Sequence, residues 1–159
     1  MSSLLAAPGA SVLDRVSDVL SEAVDDRLWA QSGTEVIDRV RAALRVKAQS
    51  DAVLLAAVGE VEARGLARSR GASSTRAWLH GAHRVDPGEA SMLVRTATSL
   101  PGFEATGAGL ATGEVSLAQA QVIIRSVNDL PKDLGRELAA AGKHSWPGTA
   151  RVSTRPPWP

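Results

Sequence analysis

Residues 32–66 read SGTEVIDRVRAALRVKAQSDAVLLAAVGEVEARGL. Ser32 and Glu35 form the reciprocal capping-box pattern that begins a helix. No proline occurs before Gly71, so the stretch predicts a single helix of roughly 50 Å at 1.5 Å per residue, or two helices if the polar residues 47–51 bend it. The apolar residues lie three or four positions apart or continue the same helical face, at Ile37, Val40, Leu44, Leu55 and Val58.

The stretch before this one is also amphipathic. From Ser11 onward, apolar residues occupy one helical face, at Val12, Val16, Val19, Leu20, Ala23, Val24 and Leu28. The residues Gln31–Gly33 break the pattern. We therefore predict an amphipathic first helix that ends before residue 31, followed by the long helix or helix pair.

Two shorter helices are predicted after residue 70. The first runs from Thr75 to about Arg84, behind a linker of small residues. Asp86 is a favourable N-cap residue and Pro87 suits the first helical position, so the second helix is predicted to run from there to Leu100.

The last helices follow a loose helical turn over residues 103–111. Ser116 and Gln119 make another capping box, which predicts a helix to about residue 130. Pro131 then begins a final helix that ends near Gly142. In domain terms, the expectation is a flexible segment 1–10, a helical domain 11–142, and a disordered tail 143–159 that contains prolines and tryptophans.

Composition supports an all-α fold. The chain of 159 residues contains one phenylalanine and no tyrosine, whereas strands are enriched in aromatic residues. We predict a helical bundle of five to seven helices with a long N-terminal helix or helix pair. The absence of cysteine excludes disulfides and thiolate metal sites. No signal peptide or apolar membrane span is recognisable, so a cytoplasmic location without membrane contact is expected.

The charges are unevenly distributed. Through Glu62 there are ten acidic and six basic residues, and from Ala63 onward seven acidic and twelve basic ones. A net positive second part permits a nucleic-acid partner without requiring one.

The two helices around Asp86 have the layout of a helix-turn-helix, with Trp78, Leu79, Ala90 and Leu93 available to pack between them. In such a motif the start of the second helix reads base edges, here through Pro87, Glu89, Ser91 and Met92. The residues predicted to contact phosphates are arginines, namely Arg64, Arg68, Arg70, Arg76, Arg84 and Arg95. An ordinary helical hairpin with solvated arginines explains the same pattern, and both interpretations stay open.

No catalytic or metal site is predicted. His80, His83 and Asp86 follow each other at three-residue spacing and could approach a metal, but no further ligand accompanies them. We favour a structural role for the histidines at the helix C-terminus. The sequence contains no Gly-x-Ser-x-Gly elbow and no phosphate-binding glycine motif. The chain is therefore expected not to be an enzyme and to bind no cofactor.

Several motifs, in order and spacing, resemble those of the actinobacterial 13E12-repeat family, also known as the DUF222 domain. They are Ser-Thr-Arg-Ala-Trp-Leu at residues 74–79, Val-Asp-Pro-Gly-Glu-Ala at 85–90, Arg-Thr-Ala-Thr-Ser-Leu-Pro at 95–101, Thr-Gly-Glu-Val-Ser at 112–116 and Asp-Leu-Pro at 129–131. The resemblance spans residues 55–138, about half of the chain.

The resemblance implies a mostly helical domain that often precedes an HNH endonuclease domain in proteins encoded by repeated elements of mycobacteria and their relatives. An HNH site needs two histidines and an asparagine, whereas Asn128 is the only asparagine here and His144 stands alone near the end. We therefore expect a chain truncated before the nuclease. Its tail after Gly142 is interpreted either as a frame-shifted sequence or as a native linker.

Three hypotheses of function follow. The first is a non-catalytic helical module that binds duplex DNA. The second is an oligomerisation or partner-binding module, with a homo-oligomer formed through the long amphipathic helix. The third is a degenerate fragment without independent function.

Overall fold

The computed structural model describes residues 11–24 and 27–129. Within these ranges it contains seven α-helices, two short 3-10 turns and no strand, which confirms the predicted all-α fold. The helices are α1 (Val12–Val24), α2 (Gly33–Ala63), α3 (Leu66–Ser69), α4 (Thr75–His83), α5 (Pro87–Ser99), α6 (Glu104–Thr112) and α7 (Leu117–Asn128). The 3-10 turns are Leu28–Ala30 and Leu100–Gly102. The predicted final helix, the N-terminal segment 1–10 and the tail 143–159 lie outside the described residues.

The capping residues read from the sequence begin the helices as expected. Ser32 Oγ accepts a hydrogen bond from the Glu35 amide, and the Glu35 carboxylate accepts one from the Ser32 amide, before α2. The Asp86 carboxylate accepts from the amides of Gly88 and Glu89 at the start of α5. These side chains satisfy amide groups that have no partner inside the helix.

Helix α2 is a single helix that continues through residues 47–51, where Lys47 and Asp51 form an ion pair of 3.1 Å at i, i+4 spacing. It ends at Ala63, because Gly65 has a left-handed backbone (φ 62°). The short helix α3 begins after that glycine. Gly65 therefore ends α2, although the apolar pattern of the sequence continues towards Leu66.

Two other boundaries differ from the sequence prediction. Helix α1 ends at Val24, before Leu28. The predicted loose turn over residues 103–111 is a regular helix, α6, which ends at the left-handed Gly113.

The chain divides into two compact units, residues 1–40 and 41–159. In the described part of the first unit, α1, the 3-10 turn and the beginning of α2 contain no buried residue. The guanidinium of Arg39 on α2 donates a hydrogen bond to the carbonyl oxygen of Ala23 near the end of α1.

The second unit has a core of small aliphatic side chains. Ala90 and Leu110 are fully buried, and they belong to one apolar cluster with Ala48, Leu55, Val58, Leu79, Leu93 and Ala97. Alanines allow helices to approach closely, and a Cβ added at Gly59 of α2 would lie 3.7 Å from the Ala97 carbonyl oxygen of α5. The core thus joins the second part of α2 to α4, α5 and α6.

Candidate nucleic-acid interface

Helices α4 and α5 form the predicted hairpin. Leu79, Ala90 and Leu93 are buried in the core, and Trp78 packs against it. Ser74 caps α4 by accepting a hydrogen bond from the Ala77 amide. This confirms the packing that the sequence predicted for a helix-turn-helix-like unit.

The corner of the hairpin is occupied by Arg84, which has a left-handed backbone with φ 57° and ψ 26°. It is the one non-glycine residue with positive φ in the described ranges. Its amide donates to the carbonyls of His80 and Leu79, an arrangement that glycine usually completes at a helix C-terminus. A left-handed backbone costs an L-residue roughly 1–2 kcal/mol, so an arginine at this position is a local strain.

The beginning of α5 is poorly suited to reading bases. Pro87 and Glu89 are exposed, but the hydroxyl of Ser91 donates to the Pro87 carbonyl oxygen at 2.8 Å. Met92 is half-buried and lines a cavity beside α7. The charged side chains at this end of α5, Asp86 and Glu89, are exposed and negative, and they would repel DNA.

Both histidines of α4 have intramolecular contacts. His80 Nδ1 lies 2.9 Å from the carbonyl oxygen of Val85. The ring of His83 meets the indole of Trp78 edge-on, with ring centroids 4.5 Å apart. Among the described residues, no group of three His, Cys, Asp or Glu side chains is placed to hold a metal ion.

All six arginines predicted to contact phosphates are exposed. Among the described residues, none of them forms an ion pair or a side-chain hydrogen bond. The structure does not gather them into one cluster. Arg64, Arg68 and Arg70 lie around α3, Arg76 lies in the first turn of α4, Arg84 follows its last turn, and Arg95 lies on α5.

Arg64 and Arg68 line the same depression, which measures about 370 Å³. Its opposite wall is Ser73, Ser74 and Thr75, the beginning of α4. Amide groups at a helix N-terminus and two guanidiniums form a surface that attracts anions. Glu62 also lines it and opposes that attraction, and sequence reasoning did not include this residue.

Arg95 is part of a separate cavity of about 110 Å³ between α5 and α7. Arg125 of α7 and Asp129, the residue that follows α7, line it as well. Sequence reasoning missed Arg125, because only the packing of α5 against α7 brings it beside Arg95. Nothing in the sequence around Arg125 indicates that it lies near Arg95.

A second missed feature is an apolar groove of about 800 Å³ between α6 and α7. Ala105, Ala108, Val115, Val122 and Ile123 are among its lining residues. Gly109 permits the close packing at its base, since an added Cβ would meet the Val115 side chain at 2.7 Å. The small residues of α6, which matched no phosphate-binding motif, were the sequence signal for this packing.

The fold and the surface together define the class of protein, which is an all-α domain with a helical hairpin and exposed arginines. The family model described as "Domain of unknown function (DUF222)" matches residues 38–145. Because the match covers more than half of the chain, the protein belongs to the DUF222 family. Searches of curated proteins and of solved structures gave no match. In the described ranges no helix is long and apolar enough to cross a membrane.

Proposed function

We propose that this protein is a non-catalytic helical module that binds duplex DNA through its arginines, without sequence preference. The observation that carries the proposal is the set of six exposed arginines without ion-pair partners among the described residues. Arginine binds phosphate through a planar, always charged fork of donors, and such contacts supply most of non-specific DNA affinity.

The position of Arg84 supports the proposal. Glycine would occupy this left-handed corner at lower conformational cost, yet an exposed arginine stands there. Local backbone strain is characteristic of functional positions. Contact with phosphate would give Arg84 a role that glycine could not fill.

The length of α4 also supports it. Arg76 and Arg84 are eight residues apart, so their backbone positions differ by about 12 Å along the helix at 1.5 Å per residue. The major groove of B-DNA is about 12 Å wide. Arginines at the two ends of α4 therefore suit phosphates on opposite sides of a groove.

The absence of sequence preference follows from α5. Phosphate contacts position a protein on DNA, and base contacts specify the site. The first turn of α5 offers acidic side chains and a serine bonded to its own helix. Binding through arginines alone is therefore expected to depend strongly on salt and weakly on base sequence.

The family context suggests a more specific role. We propose that the chain corresponds to the helical N-terminal part of HNH-endonuclease-like proteins of actinobacteria, that it acts in the cytoplasm, and that it does not cleave DNA. Support comes from the family match and the motifs named above. Incubation with supercoiled plasmid and Mg²⁺, Mn²⁺ or Zn²⁺ tests the last point, since nicked or linear product would contradict a non-catalytic module.

Fluorescence anisotropy with two unrelated labelled duplexes tests DNA binding. We expect similar affinities for both duplexes and a linear fall of log affinity with log salt concentration, with a slope of about −0.9 per neutralised phosphate. No salt-dependent binding at low ionic strength would refute the proposal.

Arg84→Gly separates DNA binding from stability. The variant removes the strained backbone, so its free energy of unfolding should be unchanged or raised by up to about 1 kcal/mol. Its affinity for DNA should fall, and the salt slope should decrease in magnitude by about 0.9. Arg15→Ala removes an equal charge from α1 and is the control, with affinity close to that of the unmodified protein.

A second pair of variants tests the depression beside α4. Arg64→Ala combined with Arg68→Ala should weaken binding and reduce the salt slope by about 1.8 in magnitude. Glu62→Gln should strengthen binding, because it removes a negative charge from the same surface. If both variants bound DNA with the affinity of the unmodified protein, this depression would not be part of the DNA interface.

A further inference from the structure

The first unit has an apolar surface that no described residue covers. Ten large apolar side chains between residues 12 and 40 are 40–83% exposed. Trp29 is 83% exposed and Val24 82%. The ten are Val12, Leu13, Val16, Val19, Leu20, Val24, Leu28, Trp29, Ile37 and Val40.

Six of these residues lie on one face of α1. Their spacing repeats at three and four positions, which places them side by side along the helix. The charged residues of α1 occupy other positions, at Asp14, Arg15, Asp18 and Glu22. The face that carries the six residues is therefore apolar along the whole length of α1.

Helix α1 has little to stabilise it inside its own unit. It has 13 residues and none of them is buried. Isolated helices shorter than about 12–15 residues are marginal in water, and in proteins most helical stability comes from packing of the apolar face. The hydrogen bond from Arg39 to the Ala23 carbonyl connects α1 to α2 but covers no apolar side chain of that face. Contact of this apolar face with another apolar surface would stabilise α1.

We propose that this surface binds a second copy of the same chain, so that the protein is a homodimer through α1, the 3-10 turn and the first turns of α2. The available area is sufficient. Ten side chains exposing roughly 100 Å² each give on the order of 1,000 Å² per chain, against about 800 Å² per partner in a standard stable interface.

A second copy also suits the shape of the unit. Two copies bring together two pairs of helical segments, the number that a four-helix bundle packs around one apolar core. A two-fold interface uses the same patch on both subunits, and an apolar patch without charges on its face is self-complementary. Trp29 supplies the large aromatic side chain that typically dominates binding energy.

The polar side of α1 disfavours anionic partners. Asp14, Asp18 and Glu22 outnumber Arg15, whereas helices that lie on anionic membranes have a basic polar face. The same charges oppose contact with DNA. A protein surface is the occupant that this charge pattern permits.

The surface overlaps in part with residues 32–70, the region that the sequence-based hypothesis assigns to association. Ile37 and Val40 of that amphipathic stripe belong to the surface proposed here, whereas Leu55 and Val58 are buried in the core of the second unit. The family match begins at residue 38, so almost all of the exposed surface precedes the matched domain. The second unit has its own buried core, to which none of these ten residues belongs.

Sedimentation equilibrium of the full chain, from low micromolar to several hundred micromolar, tests the proposal. We expect a reversible monomer–dimer equilibrium. The double variant Leu13→Glu/Leu20→Glu should raise the dissociation constant by at least about tenfold, because burying carboxylates without partners is unfavourable. Its cooperative thermal unfolding should persist, since neither residue contributes to the core of the second unit.

Two matched controls replace exposed apolar residues outside the first unit. Val53→Glu on α2 and Val122→Glu on α7 should leave the dimer intact, because these residues are 48% and 56% exposed but lie beyond residue 40. A dimer lost in either control and kept in the α1 variant would overturn the proposal. So would a dimer that all variants retain.

Disulfide trapping gives an independent readout, since the chain has no native cysteine. Leu20→Cys should form a covalent dimer on mild oxidation, whereas Val122→Cys should not. A monomer at all concentrations would refute the proposal. If the α1 variant were then also less stable to heat, the surface would belong to other residues of this chain. If instead the monomer bound phosphatidylglycerol vesicles and the variant did not, the surface would belong to lipid.

Discussion

Gly113 ends α6 at the point where the α6–α7 turn approaches α2. Its backbone is left-handed, with φ 80° and ψ 17°. A Cβ added here would come closest to the side-chain Cγ of Arg45. It would also lie 2.9 Å from the carbonyl oxygen of Arg45 and 3.0 Å from its Cα, both backbone atoms that cannot move independently of α2. Gly113→Ala should therefore destabilise the second unit strongly.

The expected magnitude has two parts. An L-residue in the left-handed region costs roughly 1–2 kcal/mol, and forced overpacking costs typically 1–3 kcal/mol. The reduced entropy of the unfolded chain returns about 0.4–1 kcal/mol. We expect a net loss of about 2–4 kcal/mol, measured by urea unfolding followed by circular dichroism.

Gly81→Ala is the matched control. Gly81 lies within α4, has an ordinary helical backbone, and a Cβ there would meet nothing within 4 Å. Alanine should stabilise α4 by about 0.5–1 kcal/mol. The two substitutions are chemically identical and should have opposite signs.

A third variant identifies the atoms responsible. In Gly113→Ala combined with Arg45→Ala, the Arg45 side chain is shortened but its backbone oxygen stays in place, so less than half of the lost stability should return. A Gly113→Ala protein within 0.5 kcal/mol of the unmodified one, roughly the scatter of ordinary surface substitutions, would refute the reasoning.

Three further predictions concern the core and the helix caps. Leu110→Ala should lower the free energy of unfolding by about 2–5 kcal/mol, measured in urea, because Leu110 is fully buried. Val122→Ala at an exposed position is the comparison, and a loss from Leu110→Ala as small as that from Val122→Ala would contradict the burial of Leu110. Asp86→Ala should cost about 1 kcal/mol through the loss of its two capping hydrogen bonds, and an unchanged urea midpoint would contradict the capping role. Hydrogen bonds from Ser32, first from its side chain and then from its backbone, lower the pKa of Glu35 in the folded chain. This cap therefore stabilises the folded chain at pH values above the ordinary glutamate pKa of about 4.3. The stabilisation is lost as the pH falls through the lower pKa of the folded chain. NMR titration should find that pKa higher in Ser32→Ala, and an identical value in both proteins would contradict this cause.

Local chemistry made many helix boundaries predictable. Ser32 with Glu35, Asp86 with Pro87, and Ser116 with Gln119 each mark a helix start in the sequence and do so in the structure. A cap is made of residues within one turn, so its signal needs no knowledge of the fold. The same holds for the apolar residues between α4 and α5, whose packing followed from periodicity.

Boundaries that depend on backbone conformation or on distant contacts were less predictable. Gly65 has no sequence neighbour that distinguishes its left-handed backbone from that of an ordinary helical glycine, so the sequence did not mark Ala63 as the last residue of α2. The proximity of Arg95 to Arg125 requires the packing of α5 on α7. Periodicity showed that α1 has an apolar face, but not whether that face would be covered.

The scarcity of aromatic residues has an optical consequence. The chain has no tyrosine, so emission in the near ultraviolet comes from tryptophan without energy transfer from tyrosine. Trp29 lies on the exposed surface of the first unit, and Trp78 packs against the core of the second. A spectral change that disappears when one of these two indoles is replaced by phenylalanine can be assigned to the unit that contains it. The two units can thus be followed separately without an added label.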